Sequence, residues 1–142
     1  MANITSVKTI TENTNEVVMA FQLQYADTGD EDAVKKVDVS TLAKNANGQS
    51  CDSVSLLECW WVIQGITVMV EADASTDVIQ KTILMMHMAA DDIGYQDFSK
   101  FGGLPSTKSY GGTTGDILFT TTGLGAVGDT YNIILRMKKH YA

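Results

Sequence analysis

Hydrophobic and polar residues alternate along much of this chain with the two-residue period of extended strands, whose successive side chains point to opposite faces. The clearest stretch is Glu16 to Tyr25, where Val17, Met19, Phe21, Leu23 and Tyr25 alternate with Val18, Ala20, Gln22 and Gln24 and predict a half-buried strand. Tyr131, Ile133, Leu135 and Met137 alternate in the same way with Asn132, Ile134, Arg136 and Lys138. Shorter strands are expected over Ile4 to Ile10, as an edge strand or an arm within residues 1–15, over Val34 to Val39, and over Asp116 to Thr122. The turn GLGAVGD separates this last strand from Thr130 to Lys138, so the two read as a hairpin.

Leu56 to Val70, LLECWWVIQGITVMV, breaks the pattern by being apolar on both faces. Leu56, Trp60 and Val62 fall on one side of an extended strand and Leu57, Cys59, Trp61 and Ile63 on the other. In a two-layer sandwich the core covers one side only, so the second side calls for a loop, a neighbouring element or another chain. Gln64-Gly65 interrupts the run as a tight turn or a bulge. Val78 to Met88 is apolar all round as well; a helix over 78–90 would keep a polar face, so a strand buried on both sides is the expectation.

The connections carry turn residues: ADTGDEDA, Asn47-Gly48 within Leu42 to Ser50, and DASTD at 73–77. From Asp91 to Gly115 the alternation vanishes, and Tyr95, Phe98, Phe101 and Leu104 suggest a long loop pinned by aromatics. The total is about eight strands without a convincing helix, in one domain spanning 1–142. That predicts an all-β, antiparallel β-sandwich of jelly-roll type.

At 142 residues a single core suffices, burying about two-thirds of the unfolded surface. A net charge of −7 and a pI near 4.6 argue against nucleic acid as the main partner, since phosphate binding draws on clustered Lys and Arg. Arg136, Lys138 and Lys139 read as a solvated basic end in preference to an arm for an acidic partner. With no basic region leading an apolar run at the N-terminus and no uncharged apolar stretch of about eighteen residues, the expectation is a soluble protein made in a cytosol. Cys51 and Cys59 fit reduced thiols there, and lacking CxxC spacing they do not suggest zinc.

Candidate chemistry is sparse. Gly123, Gly125 and Gly128 spell GxGxxG, but TYNIIL follows instead of a helix, which makes a turn the better reading than a dinucleotide site. Asp27, Asp30 and Asp32 imitate a calcium loop, yet Asp32 stands where that loop needs glycine and Asp38 where it needs glutamate. Asp91, Asp92 and Asp97 have the groups for a hard cation or a carboxylate pair, though solvated loop aspartates are commoner. His87 lies in an apolar run, as a core or interface histidine, and His140 is expected to be exposed. There is no GxSxG nucleophile turn. Met85, Met86 and Met88 with Trp60 and Trp61 suit either the core or an adaptable contact, and the apolar second faces lean toward a subunit contact as much as toward loop coverage.

DASTD at 73–77, GYQDFSKFGGLP at 94–105, TTGDILFTTTG at 113–123 and GDTYNIILRMKK at 128–139 resemble small virion structural proteins of tailed phages, notably short-tailed cyanophages. The resemblance covers roughly the last 85 residues; the first 50 carry none. It implies a capsid decoration, or cement, protein on the outside of the phage head in the virion, synthesised in the host cytoplasm. Such a protein ties major capsid protein subunits together, commonly as a homotrimer, without enzymatic activity, cofactor, nucleic acid or membrane. A neck or tail role is the nearest variant. The expected contact residues are Trp61, Met85, Tyr95, Phe98, Phe101, Arg136, Lys138 and Lys139. The alternative is a carbohydrate-binding β-sandwich of a phage tail or fibre, stacking sugars on Trp61, Tyr95, Tyr110 and Tyr141; a small hydrolase using the loop aspartates is a distant third.

Overall fold

The computed structural model describes residues 3–26, 29–74, 82–110 and 112–141. Nine strands run through them: β1 (Ile4–Glu12), β2 (Glu16–Gln24), β3 (Val34–Val37), β4 (Cys51–Gln64), β5 (Thr67–Ala74), β6 (Thr82–Met88), β7 (Ile93–Asp97), β8 (Thr113–Thr122) and β9 (Thr130–Tyr141). Among the described residues, helical structure is confined to 3-10 turns at Val39–Thr41 and Ser99–Phe101. The strands form two antiparallel sheets, one of five in the order β1-β2-β9-β4-β7 and one of four in the order β3-β8-β5-β6. Setting β1 aside, the halves are 2-9-4-7 and 3-8-5-6, the interleaved order of a jelly roll. The chain is thus an all-β sandwich, as its alternation predicts.

The alternating stretches deliver their apolar sets to the space between the sheets. Val17, Met19, Phe21 and Leu23 of β2 and Tyr131, Ile133, Leu135 and Met137 of β9 are all buried, and Phe119 of β8 meets them from the opposite sheet. The Phe119 ring lies 5.0 Å from Phe21 and 5.7 Å from Tyr131, an aromatic trio that ties the layers together. The one polar tip in that trio is satisfied: Tyr131 Oη donates to Glu31 Oε1 at 2.8 Å, and Glu31 Oε2 accepts from Lys36 Nζ at 2.6 Å. Burial, and then the Glu31 charge, push the Tyr131 pKa upward.

A bulge resolves the double-sided strand. In β4, Leu56 stands opposite Met137 and Glu58 opposite Arg136, so Leu57 is an extra residue without a partner on β9. The bulge shifts the alternation by one. Val54 and Leu56 face the core before it, and Cys59, Trp61 and Ile63 face inward after it. Leu56 therefore points the opposite way from Trp60 and Val62, contrary to the unbroken two-residue reading. Leu57 is buried by the 98–104 loop, which donates Phe98 N to Leu57 O at 2.7 Å and Leu104 N to Leu56 O at 2.9 Å.

Several other expectations need correction. The two strands flanking GLGAVGD are not a hairpin: β8 lies in the sheet of four and β9 in the sheet of five, so the turn crosses the sandwich. Gln64-Gly65 is likewise a crossing turn, from β4 to β5, at which a Cβ on Gly65 (φ +78) would come within 1.9 Å of Asp129 Oδ1. The supposed loop from Asp91 to Gly115 contains β7 and the start of β8, bridged by the Ser99–Phe101 turn. The Val78–Met88 strand is present from Thr82 onward, with 78–81 outside the described residues, but it edges the sheet of four and leaves Leu84 and His87 exposed. His87 is accordingly no core residue. The basic end is solvated only in part: it belongs to β9, at the centre of the five-stranded sheet, with Lys138 exposed and Lys139 buried.

Candidate functional site

The outer face of the five-stranded sheet, the side turned away from the core, carries a group of exposed apolar side chains. Strand register lays its residues out in rows. Val18, Arg136, Glu58 and Asp97 form one row across β2, β9, β4 and β7; Ala20, Ile134, Trp60 and Tyr95 form the next; Gln22, Asn132, Val62 and Ile93 form the third. The middle of this face is apolar and open, with Trp60 37% exposed, Tyr95 48%, Val62 50% and Ile93 78%. A hollow of about 210 Å³ lies among Trp60, Val62, Ile93, Asn132 and Ile134 and reaches Trp61 and Gly94 beneath them. Contiguous exposed apolar residues rimmed by polar ones are the usual mark of a contact surface.

The rim is held rigid by its own charges. Arg136 donates to Glu16 twice, Nε to Oε1 at 2.8 Å and Nη2 to Oε2 at 2.9 Å, and its Nη1 reaches Glu58. Those carboxylates, Glu16 first, raise the Arg136 pKa above its ordinary value. Glu58 also accepts the Tyr95 hydroxyl at 2.5 Å, and that hydrogen bond, with burial adding to it, pushes the Tyr95 pKa up to about 12. Tyr95 is thereby neutral and pinned, and its ring leans on Trp60 at 5.3 Å between centroids with a 34° tilt. Apolar area with fixed polar edges can pack and orient a partner; it offers no nucleophile, acid or base aimed into the hollow.

The expected contact residues do not fall together. Tyr95 and Arg136 sit on this face, and Lys138 is exposed at the next position along β9. Trp61 points inward over Gly94, half-buried, with Nε1 donating to Asp92 Oδ2 at 3.1 Å. Met85 and Phe98 pack against the core, whereas Phe101 is exposed on the loop with its ring 6.1 Å from Phe98. Lys139 is enclosed, its ammonium donating to Glu12 Oε2 at 2.7 Å, Ala43 O at 3.0 Å and Asn13 O at 3.1 Å. Trp60, Val62, Ile93 and Ile134 are absent from the expected set: the bulge at Leu57 exchanges the roles of the two tryptophans, and Ile93 and Ile134 reach the face only through their pairing with β4. Of the four aromatics proposed for sugar stacking, Tyr95 alone reaches the face. Tyr110 and Tyr141 are half-buried elsewhere, and Tyr141 Oη is tied to Thr14 O at 2.7 Å.

The remaining candidate groups hold loops. Asp91 accepts from Gly65 N at 2.9 Å, and Asp97 accepts from Ser99 Oγ at 2.5 Å and Ser99 N at 2.8 Å, the hydroxyl first and then the amide keeping its pKa low. Asp30 accepts from Leu124 N at 2.8 Å, while Asp27 lies outside the described residues. In the glycine turn Asp129 accepts from Gly125 N at 3.0 Å and Ala126 N at 2.8 Å, so the chain's own carboxylate takes the amides that a phosphate would need. His140 Nε2 and Ser55 Oγ are 2.8 Å apart, and among the described residues no carboxylate bonds to either. Among the described residues no three His, Cys, Asp or Glu side chains are grouped to hold a metal. The chain matches no protein-family model, no curated protein and no solved structure.

Proposed function

We propose that the protein is a structural virion component of the capsid decoration type, which docks the outer face of its five-stranded sheet on the assembled shell and adds buried area across major capsid protein joints. The observation that carries this reading is the open apolar centre around Trp60, Val62, Ile93 and Tyr95, bordered by an Arg136–Glu16–Glu58 group in which one guanidinium bridges two carboxylates. The resemblance in the second half of the chain supplies the shell as partner, and the interleaved sandwich is an architecture that capsid and lectin domains share. Binding an assembled shell more tightly than its loose subunits stabilises the shell by mass action, which is all that a cement protein requires. The sugar-stacking alternative is less favoured: the mutually tilted Trp60–Tyr95 pair does not present a coplanar platform for successive rings.

Co-sedimentation tests the reading. The protein should pellet with assembled heads of the phage that encodes it and stay in solution with unassembled capsid protein. Equal affinity for both, or none for heads, rejects it.

A further inference from the structure

The free edge of β1 has a different character from the face just described. Its partner β2 occupies one side, and no described strand pairs with the other. The sheet of four leaves its inward side uncovered, so Thr5, Val7 and Thr9 are exposed although their cross-strand neighbours Leu23, Phe21 and Met19 are buried. Ile4, Val7 and Ile10 are 59%, 44% and 52% exposed. A long, β-branched edge strand presents a row of unpaired backbone groups, and folded proteins normally blunt such an edge with charge, proline or a covering element. Here the nine residues carry only Lys8 and Glu12, Glu12 is engaged with Lys139, and a bulge at Ile10 interrupts the pairing with β2 only beyond Thr9, leaving Ile4 to Thr9 as a regular open edge.

The order of residues along β1 identifies the occupant. Ile4-Thr5-Ser6-Val7-Lys8-Thr9-Ile10 reads nearly the same in chemical character from either end, with Val7 at the centre. An isologous two-fold contact needs that kind of symmetry, because each surface must complement itself. We propose that β1 pairs antiparallel with β1 of a second copy about a two-fold axis through Val7. Val7 meets the partner's Val7, Thr5 the partner's Thr9 and Ser6 the partner's Lys8 over the regular part of the strand, and Ile4 comes up to the bulge at the partner's Ile10. The exposed apolar residues cover one another, the two threonine pairs lie on the uncovered inward side, and no like charges face each other. Two five-stranded sheets become one continuous sheet (5 + 5 strands), and the open edge disappears. Such a pairing yields a dimer or a multiple of dimers, in contrast to the trimer that the phage resemblance implies. It does not depend on head binding, so a dimer without affinity for heads would leave it standing.

Sedimentation equilibrium up to roughly 0.5 mM, a range suited to a small single-strand interface, measures the pairing. The expected species is a dimer of twice 15.4 kDa, and Val7→Lys, which sets two ammonium groups at the axis, should weaken it roughly tenfold or more while leaving the thermal transition in place. Under mild oxidation Val7→Cys should link into a covalent dimer, its Cα atoms lying within disulfide reach. Lys8→Cys, offset by two residues to roughly 8 Å, should not. The native Cys51 and Cys59 are buried and stay out of the reaction. A monomer throughout the range, a trimer indifferent to Val7→Lys, or equal cross-linking at both positions would overturn the proposal.

Discussion

Trp61 occupies its inward place because Gly94 stands opposite it on β7. A Cβ at Gly94 would lie 2.0 Å from the indole Cζ2, so the ring lies directly over the neighbouring backbone. Gly94→Ala should therefore cost about 2 kcal/mol, the usual penalty for overpacking, read as a lower midpoint in denaturant unfolding followed by tryptophan fluorescence. The same residues mark where the sequence stopped being legible. An adjacent Trp-Trp pair states that one ring faces each way, but which one faces the core depends on the single extra residue at Leu57, and Leu-Leu-Glu carries no glycine to announce a bulge. His140 gives a second test. Burial, and then the Lys138 charge, hold its pKa below the ordinary value, so the unfolded chain binds the proton more readily than the folded one. Its contribution is intact above about pH 6.5 and is lost as the pH falls below that. Between about pH 7.5 and 5.5 the wild type should lose more unfolding free energy than His140→Gln; equal losses would remove the effect assigned to this side chain.

Among the elements, β9 shows best what periodicity reads and what it misses. The alternation of Tyr131, Ile133, Leu135 and Met137 foretold both the strand and its buried face, yet its basic end passed for a solvated tail because a lysine in sequence looks the same whether or not a carboxylate waits for it. That carboxylate is Glu12, at the far end of β1. Burial works against the Lys139 charge, but the hydrogen bond and charge of Glu12 outweigh it and raise the pKa. Glu12→Gln should then cost about 2 kcal/mol at neutral pH by leaving an enclosed ammonium without its counter-charge. Since a raised lysine pKa contributes stability below its ordinary value of about 10.4 that is lost as the pH climbs past the folded value, the gap between variant and wild type should narrow in strong alkali. A gap that persists there would assign the cost to packing. β7 escaped notice for a different reason: Ile93-Gly-Tyr-Gln-Asp is short, contains glycine and is exposed along one side, so nothing but its pairing with β4 makes it a strand.

For the molecule as a whole, pattern and turn residues sufficed for the all-β sandwich, because each sheet buries one face and so keeps its alternation. They did not suffice for the connections, since a glycine turn that closes a hairpin and one that crosses between sheets have the same composition. The exposed apolar face was visible only as an excess of apolar residues along β4, and its position needed the register that sets Trp60 and Val62 beside Tyr95 and Ile93. The most direct test of that face replaces its most exposed pair with a cross-strand ion pair, Val62→Lys with Ile93→Glu, which keeps the strands compatible and should leave unfolding free energy within about 1 kcal/mol. Binding of this double variant to assembled heads should fall at least roughly tenfold relative to wild type, while Val127→Lys, on the exposed glycine turn between β8 and β9 and outside the rows of the face, should bind as wild type does. Undiminished binding by the folded double variant would contradict the assignment of the five-stranded sheet as the docking surface.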